Sequence, residues 1–470
     1  MDFKTRLSWE LSADYKSEDH GMSKKIRFGL VFITMVCLIS ASVFISGGAA
    51  APAPQHAGAA ASTTRNAAIV ATTLAVLQET SEIRELSILR PVKSGAQSRS
   101  EIERMVVRNL EEQTTPAEMH ATELALRKFG LVSPDFQYRP FIIKLLTEQV
   151  AGYYDPKVQQ FYLADWIELE GQKPVMAHEL THALQDQHFN LRRFEDWPKG
   201  DADAELAAHA LIEGDATLAM TLYMAKNPLV ALAFMRSLGS TSTSSEQFKQ
   251  APRALRESLV FPYQEGSEWA TQLYKRGGWQ MVSDAFTKLP QSTEQILHPD
   301  KYFAREAPLK IALPEVRNLL GWSWRRLDYD VNGEWSYYLI LDEYLKSPAE
   351  SRRAAAGWAG DRYELYEGPK PGEVFLAQMT AWDTENDARE FFDAYAKRTW
   401  RRYEGARAME MASPITDTQK TEKSQAQSER HVWQTNEGRV VAELRGSRVL
   451  ILEGIPGSSD SKALLRALWQ

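Results

Sequence analysis

Apolar positions recur at three- and four-residue steps along most of the chain up to about residue 310. Across 66–89, Ile69, Leu74, Leu77, Ile83 and Leu86 keep helical spacing with no glycine or proline between them, which predicts one long helix. Further helices are expected at 100–112 with Ser100 as the cap, at 116–129 closed by Gly130, and at 139–150. An Asp155-Pro156 turn then leads into the alternating aromatic run 160–163, which reads as a strand. A helix carrying "VMAHELTHALQDQHF" (175–189) follows, then a polar loop and a long helix over about 203–226. Residues 228–250 include "GSTSTSSEQ", read as a surface loop, and helices resume at 254–259, 265–275 and 280–289. In "QSTEQILHPDKY", Ser292 and Gln295 stand in capping-box spacing and Pro299 should stop the turn.

Beyond about residue 310 the texture changes. "RYELYEG", "EVFLAQMTAW", "HVWQTN", "RVVAELRG" and "RVLILEG" read as strands, with "DTENDAREFFDAYAKRTW" as a helix between the second and third. The polar stretch 416–429 reads as a loop, and no internal repeat is evident. The chain is therefore expected to be α+β, with a mostly helical domain over 62–310 and an α+β module over 311–470. Tryptophans Trp322, Trp324, Trp358 and Trp382 are expected to serve packing.

Composition changes this picture at two points. The formal charge of −7 gives no basic field of the kind that draws nucleic acid. At the N-terminus, Lys24, Lys25 and Arg27 precede an uninterrupted apolar run, "FGLVFITMVCLISASVFI" (28–45), followed by the small-residue stretch "SGGAAAPAPQHAGAAAS". Residues 1–61 thus read as a cytoplasmic extension, a signal peptide or membrane anchor starting near Met22, and an Ala/Pro linker. Whether the signal is cleaved or kept, the basic flank stays inside and the rest is exported: periplasmic, anchored facing outward, or secreted. The sole cysteine, Cys37, lies in the apolar run, so the exported part has no thiol, and any metal there falls to His, Asp or Glu.

That restriction gives weight to "HELTH". Residues on a helix advance about 100° each, so His178 and His182 stand one turn apart and their imidazoles can converge on one ion. Glu179 lies off that direction, where it can take a proton from a water that the ion has acidified. An ordinary buried helix with hydrogen-bonded histidines would spell the same letters, so the reading turns on a third ligand. His188 follows His182 at metzincin spacing, but the glycine that would swing it back is replaced by Gln185. Glu213 in "DAELAAHALIEGDATLAM" sits on a second helix among small neighbours Gly214, Ala216 and Ala219, as in gluzincins. His209 and Glu205 share its face and are expected to support the site without binding the ion.

"EQVAGYYDP", "HELTHALQDQHF", "ALIEGDAT", "STEQILHPDKY" and "AAGWAGDRYELY" together resemble a family of exported bacterial neutral zinc metallopeptidases of gluzincin type, over about residues 100–400. The resemblance implies a zincin-like fold for the helical domain, zinc on His178, His182 and Glu213, and Glu179 as base. It departs from thermolysin-like enzymes at Thr217, where they carry an aspartate that orients a histidine; Asp215 or Asp186 are the candidates for that task. An oxyanion stabiliser is also required, and His298 is the first candidate, ahead of Tyr302, Tyr153 and Tyr154. Residues 159–164 are a candidate edge strand for pairing with an extended peptide. The expected function is an exported zinc endopeptidase acting on peptide or protein. A catalytically silent zinc-binding protein of the envelope and a non-peptide zinc hydrolase are its rivals.

Overall fold

The computed structural model describes residues 59–166, 168–195, 197–240, 246–410 and 428–470. The signal or anchor, the linker to residue 58 and most of the loop expected at 416–429 lie outside them. Among the described residues no single helix is long and apolar enough to cross a membrane.

Helix α1 (Ala59–Arg84) stops short of the expected end at residue 89, because Glu85 turns left-handed with φ 59°. Strand β1 (Lys93–Gln97), "KSGAQ", has no apolar alternation and was not expected; tertiary pairing orders it. Helix α2 (Arg99–Gln113) is capped by Ser98 rather than Ser100, since Ser98 and Glu101 close a capping box. Helix α3 (Pro116–Phe129) begins with the Thr115–Glu118 box and ends at Gly130, which takes φ 74°. After α4 (Tyr138–Gln149) come strands β2 (Gly152–Asp155) and β3 (Gln160–Ala164). The sheet order is β1-β3-β2, with β1 parallel and β2 antiparallel to β3. The aromatic strand is thus the middle one, and the edge expected at 159–164 belongs to β2 instead.

Helices α5 (Lys173–Phe189) and α6 (Ala202–Lys226) follow, then α7 (Pro228–Ser240), α8 (Glu246–Lys249) and α9 (Arg253–Ala285). Residues 228–240, placed next to the serine-rich run in the sequence, are helical. The three helices expected between 254 and 289 are one element. Pro262 is accommodated inside it, whereas Gly277 and Gly278 leave helical dihedrals and kink it. Helices α6 and α9 approach as closely as backbones allow: a Cβ on Gly214 would lie 2.1 Å from the Gly266 carbonyl oxygen. Gly214, beside Glu213, therefore seats α9, a third helix. Helix α10 (Thr293–Leu297) is capped by Ser292, and Pro299 opens α11 (Pro299–Ala304) rather than stopping the chain.

The C-terminal part comprises α12 (Arg317–Leu320), β4 (Arg325–Asp330), α13 (Gly333–Leu345), α14 (Pro348–Ala355), β5 (Trp358–Glu367), β6 (Val374–Trp382), α15 (Glu385–Arg402), β7 (Arg407–Glu410), β8 (Ser428–Thr435), β9 (Gly438–Arg445), β10 (Arg448–Ile455) and α16 (Ser461–Leu468). The strands form one antiparallel seven-stranded sheet in the order β4-β5-β6-β10-β9-β8-β7. Successive residues of β6 and β10 point to opposite faces, and both faces are covered. Leu376 and Ile451 join a core with α15 and with Leu211 and Trp269 of the helical part. Phe375 and Leu450 meet α16 on the other side. Trp324, Trp358 and Trp382 are buried, but Trp322, also expected to serve packing, is 88% exposed.

Candidate metal centre

Helix α5 is wrapped by α1, α6, α7, β2 and β3, so every residue from Pro174 to Asp186 is buried. Its polar side chains therefore bond one another and groups on α6 and β2. His178 Nε2 lies 3.0 Å from Glu213 Oε2 on α6, His182 Nε2 lies 3.4 Å from the same oxygen, and the two Nε2 atoms are 3.1 Å apart. Four bonds of 2.0–2.1 Å in a tetrahedron place neighbouring donors roughly 3.3 Å apart. The three atoms therefore already stand at the spacing a zinc ion requires. All three accept when the imidazole nitrogens are unprotonated, so something positive must stand between them, a proton or a cation.

Glu179 also has a carboxylate oxygen within 4.8 Å of ligand nitrogens on both histidines. Glu213 is the nearer carboxylate and the better ligand. Glu179 is held differently: its Oε2 accepts the backbone N–H of Tyr154 at 2.8 Å, which fixes it beside the cluster from the β2 side. Burial pushes the His178 imidazole below its usual pKa. Burial acts the same way on His182, but the Glu213 charge outweighs it and raises that ring. Burial would raise Glu213, yet the two histidines pull it below the usual carboxylate range.

His182 Nδ1 meets Gln185 Oε1 at 2.8 Å, and Gln185 Nε2 donates to Ile212 O and to Asp215 Oδ2. Asp215 is also bonded to Arg84, from α1. Of the two carboxylates expected to orient the ligands, Asp215 is thus linked to His182 through an amide. Asp186 instead bonds the Tyr154 hydroxyl and Arg90. The Tyr263 ring stacks on His178 at 6.0 Å between centroids.

Other expected residues stand elsewhere. The His188 Nε2 atom is 2.7 Å from Ser87 O, so the rival third ligand is turned to the chain after α1. His298 is not brought to the cluster: its Nε2 is 2.9 Å from Glu334 Oε1. Its segment docks through Thr293 on Asp203, at the start of α6. By helical rise that is about 15 Å from Glu213. Tyr302 donates to Lys288 O, and Tyr153 donates to Gln97. His209 is buried, which lowers its pKa to about 4. Glu205 borders a small cavity with Asp330 and Lys199.

Sequence reasoning missed Arg84, Gln185 and Tyr263. The first two had a signal. Gln185 stands three residues after His182, on the same helix face. Arg84 continues the buried row of Thr73, Leu77 and Thr80, where a lone cation calls for a buried partner. Tyr263 had none, because the helix carrying it was read as three pieces, with a gap over that residue.

A family model described as "Domain of unknown function (DUF8575)" matches residues 324–465, which spans β4 to α16 and none of the donor residues. No curated protein and no solved structure matches the chain.

Proposed function

We propose that the protein is an exported zinc-dependent endopeptidase of gluzincin type, with a zincin-like helical domain. His178, His182 and Glu213 hold the metal and Glu179 is the general base. One observation carries this reading: three donor atoms from two helices stand 3.0–3.4 Å apart around a common point. Zinc bound there would polarise a substrate carbonyl and bring the pKa of its water towards 7.

The chain's own residues supply the remainder. Glu179, anchored through Oε2 by the Tyr154 amide, takes the proton from the attacking water and returns it to the leaving amine. The Ala151 carbonyl bonds Ala164 of β3, so by alternation Gly152 and Tyr154 turn their peptide groups to the outer edge of β2. That edge, already in contact with Glu179, is where an extended peptide pairs. The donors and Glu179 are at most 2% exposed, so substrate enters only when a covering element moves aside; Tyr263 of α9 is one.

Metal analysis and a peptide-library assay with and without chelator test the proposal. Glu179→Gln should keep stoichiometric zinc and lose at least a hundredfold in turnover, in line with the usual worth of a general base. Unchanged turnover in that variant would remove Glu179 from the mechanism. A zinc-replete protein that cleaves no peptide would favour the non-catalytic or non-peptide readings.

A further inference from the structure

We propose that Arg84, the last residue of α1, is a positioning residue for this site: acting through Asp215 and Gln185, it dictates which nitrogen His182 offers to the metal. This rests on the zinc reading above.

The relay follows from what each group can donate. Arg84 is fully buried; its Nε lies 2.5 Å from Asp215 Oδ1 and its Nη2 3.1 Å from Oδ2. Its Nη2 also donates to Ser283 Oγ at 3.1 Å, and the guanidinium carbon lies 4.4 Å over the Trp279 ring. Helix α9 thus also holds the guanidinium in place. A guanidinium only donates, so both Asp215 oxygens are accepting. Gln185 Nε2 is 2.9 Å from Asp215 Oδ2 and 3.0 Å from Ile212 O, and both partners accept. The end of the amide facing them must be its NH2 group. Its carbonyl Oε1 must then face His182 Nδ1, at 2.8 Å.

A carbonyl only accepts, so Nδ1 carries hydrogen and the neutral ring keeps its lone pair on Nε2. Nε2 is the atom that meets Glu213 and His178. With the amide turned over, its NH2 would confront Nδ1 and its carbonyl would confront a carboxylate. Arg84 and Asp215 forbid that arrangement from the far end. The helix that follows the Ala/Pro linker is therefore a working part of the site.

Zinc affinity, read by competition with a chromophoric chelator, is compared for Arg84→Met, Gln185→Met and the double variant. Each single change should weaken binding ten- to a hundredfold. The double variant should be no weaker than the worse single, because both cut one chain, and Arg84→Lys should recover part of the loss. Additive losses, or unchanged affinity in Arg84→Met, would overturn the relay. Should Arg84→Met fail to fold, Gln185→Met breaks the same chain with Arg84 in place, and unchanged affinity there overturns it equally.

A second measurement is independent of zinc. In the metal-free protein, the Gln185 side-chain amide protons should exchange slowly and lose that protection in Arg84→Met. Retained protection would overturn the relay even if the wild-type protein held no zinc, an outcome that would sink the metal reading separately.

Discussion

Two fully buried glutamates show opposite ways of living without water. Glu453 on β10 accepts from Arg398 and Tyr395 on one oxygen and from Arg402 and Tyr403 on the other. Lys128, from α3, adds a further nearby positive charge. Burial would raise its pKa, but the two guanidiniums hold it far below the carboxylate range. Glu213 meets the imidazoles of His178 and His182, with no arginine or lysine ion pair among the described residues. The first cluster is complete: its cations are permanent, and its arginines also bond the carbonyls of Phe129 and Arg127 at the end of α3. The second is complete only with a proton or a metal. A folding core supplies its own countercharge; under the zinc proposal the Glu213 cluster leaves that charge to be brought in.

The largest expected effect breaks this contrast directly. Glu453→Gln strands two buried guanidiniums and should cost about 3–5 kcal/mol of stability, equally with zinc and with chelator. Glu213→Gln should cost far less in chelator, where it removes a carboxylate paired with the imidazoles of His178 and His182. It should also abolish the stabilisation that excess zinc confers on the wild type. Melting curves of both variants in both conditions check this. Equal losses for Glu213→Gln with and without zinc would make Glu213 another structural carboxylate.

Next comes the contact that places Glu213. Helix α9 fits α6 only because Gly266 and Gly214 lack side chains; a Cβ on Gly266 would sit 2.2 Å from Ala210 O. Gly266→Ala should cost about 3 kcal/mol, at the upper end for overpacking. The helices must separate beside Glu213, so zinc affinity should fall as well. Ser267→Ala, on the half-buried neighbour, should do neither. If Gly266→Ala lowers stability and leaves affinity untouched, the close approach serves the core alone.

How much of this was legible follows from where each signal resides. His178, Glu179 and His182 were legible because helix geometry alone brings them together. Glu213 was legible because a carboxylate among alanines and glycine requires a partner. The central strands β6, β9 and β10 were found through their long apolar runs. Strand β1 and the outer edge of β2 were not, because "KSGAQ" becomes a strand only by pairing with β3. His298 was misplaced for a related reason: a histidine before proline at a helix start looks the same whether Glu334 or a metal centre awaits it. The Arg84 relay spans three helices, and no local spacing encodes it.

A third buried group sharpens the comparison through pH. Where α6 meets β4 and β5, Asp203, Asp328, Asp330 and Asp361 are buried together, with Lys199 3.5 Å from Asp328 and Arg362 near Asp361. Burial raises all four, Asp328 and Asp361 to about 6 and the other two well above their usual range. The folded chain then holds protons that the unfolded chain releases above about pH 4. Stability from this group is full below that pH and is lost as pH rises through 6. Glu453 runs the other way, contributing above about pH 4 and losing its contribution as pH falls. In chelator, Asp330→Asn should remove part of the decline between pH 4 and 7, on the order of 1 kcal/mol. Melting temperatures that fall as steeply in the variant would show that Asp330 is not among the groups responsible.

The smallest expected effect tests the residue that sequence put at the centre and structure did not. The His298 side chain is 39% exposed, and its hydrogen bond to Glu334 raises its pKa. Burial also raises Glu334, which weakens the pair as an ion pair. With solvent screening on the imidazole side, His298→Ala should cost only a few tenths of a kcal/mol. The sign is that of a raised histidine: the loss should appear below about pH 6.5 and vanish as pH rises past the folded pKa. Zinc affinity and peptide turnover should not change, because the segment docks at the start of α6, about three turns from Glu213. A tenfold fall in turnover at constant zinc content would mean that this segment swings to the metal centre when substrate enters, and would restore His298 as the oxyanion donor.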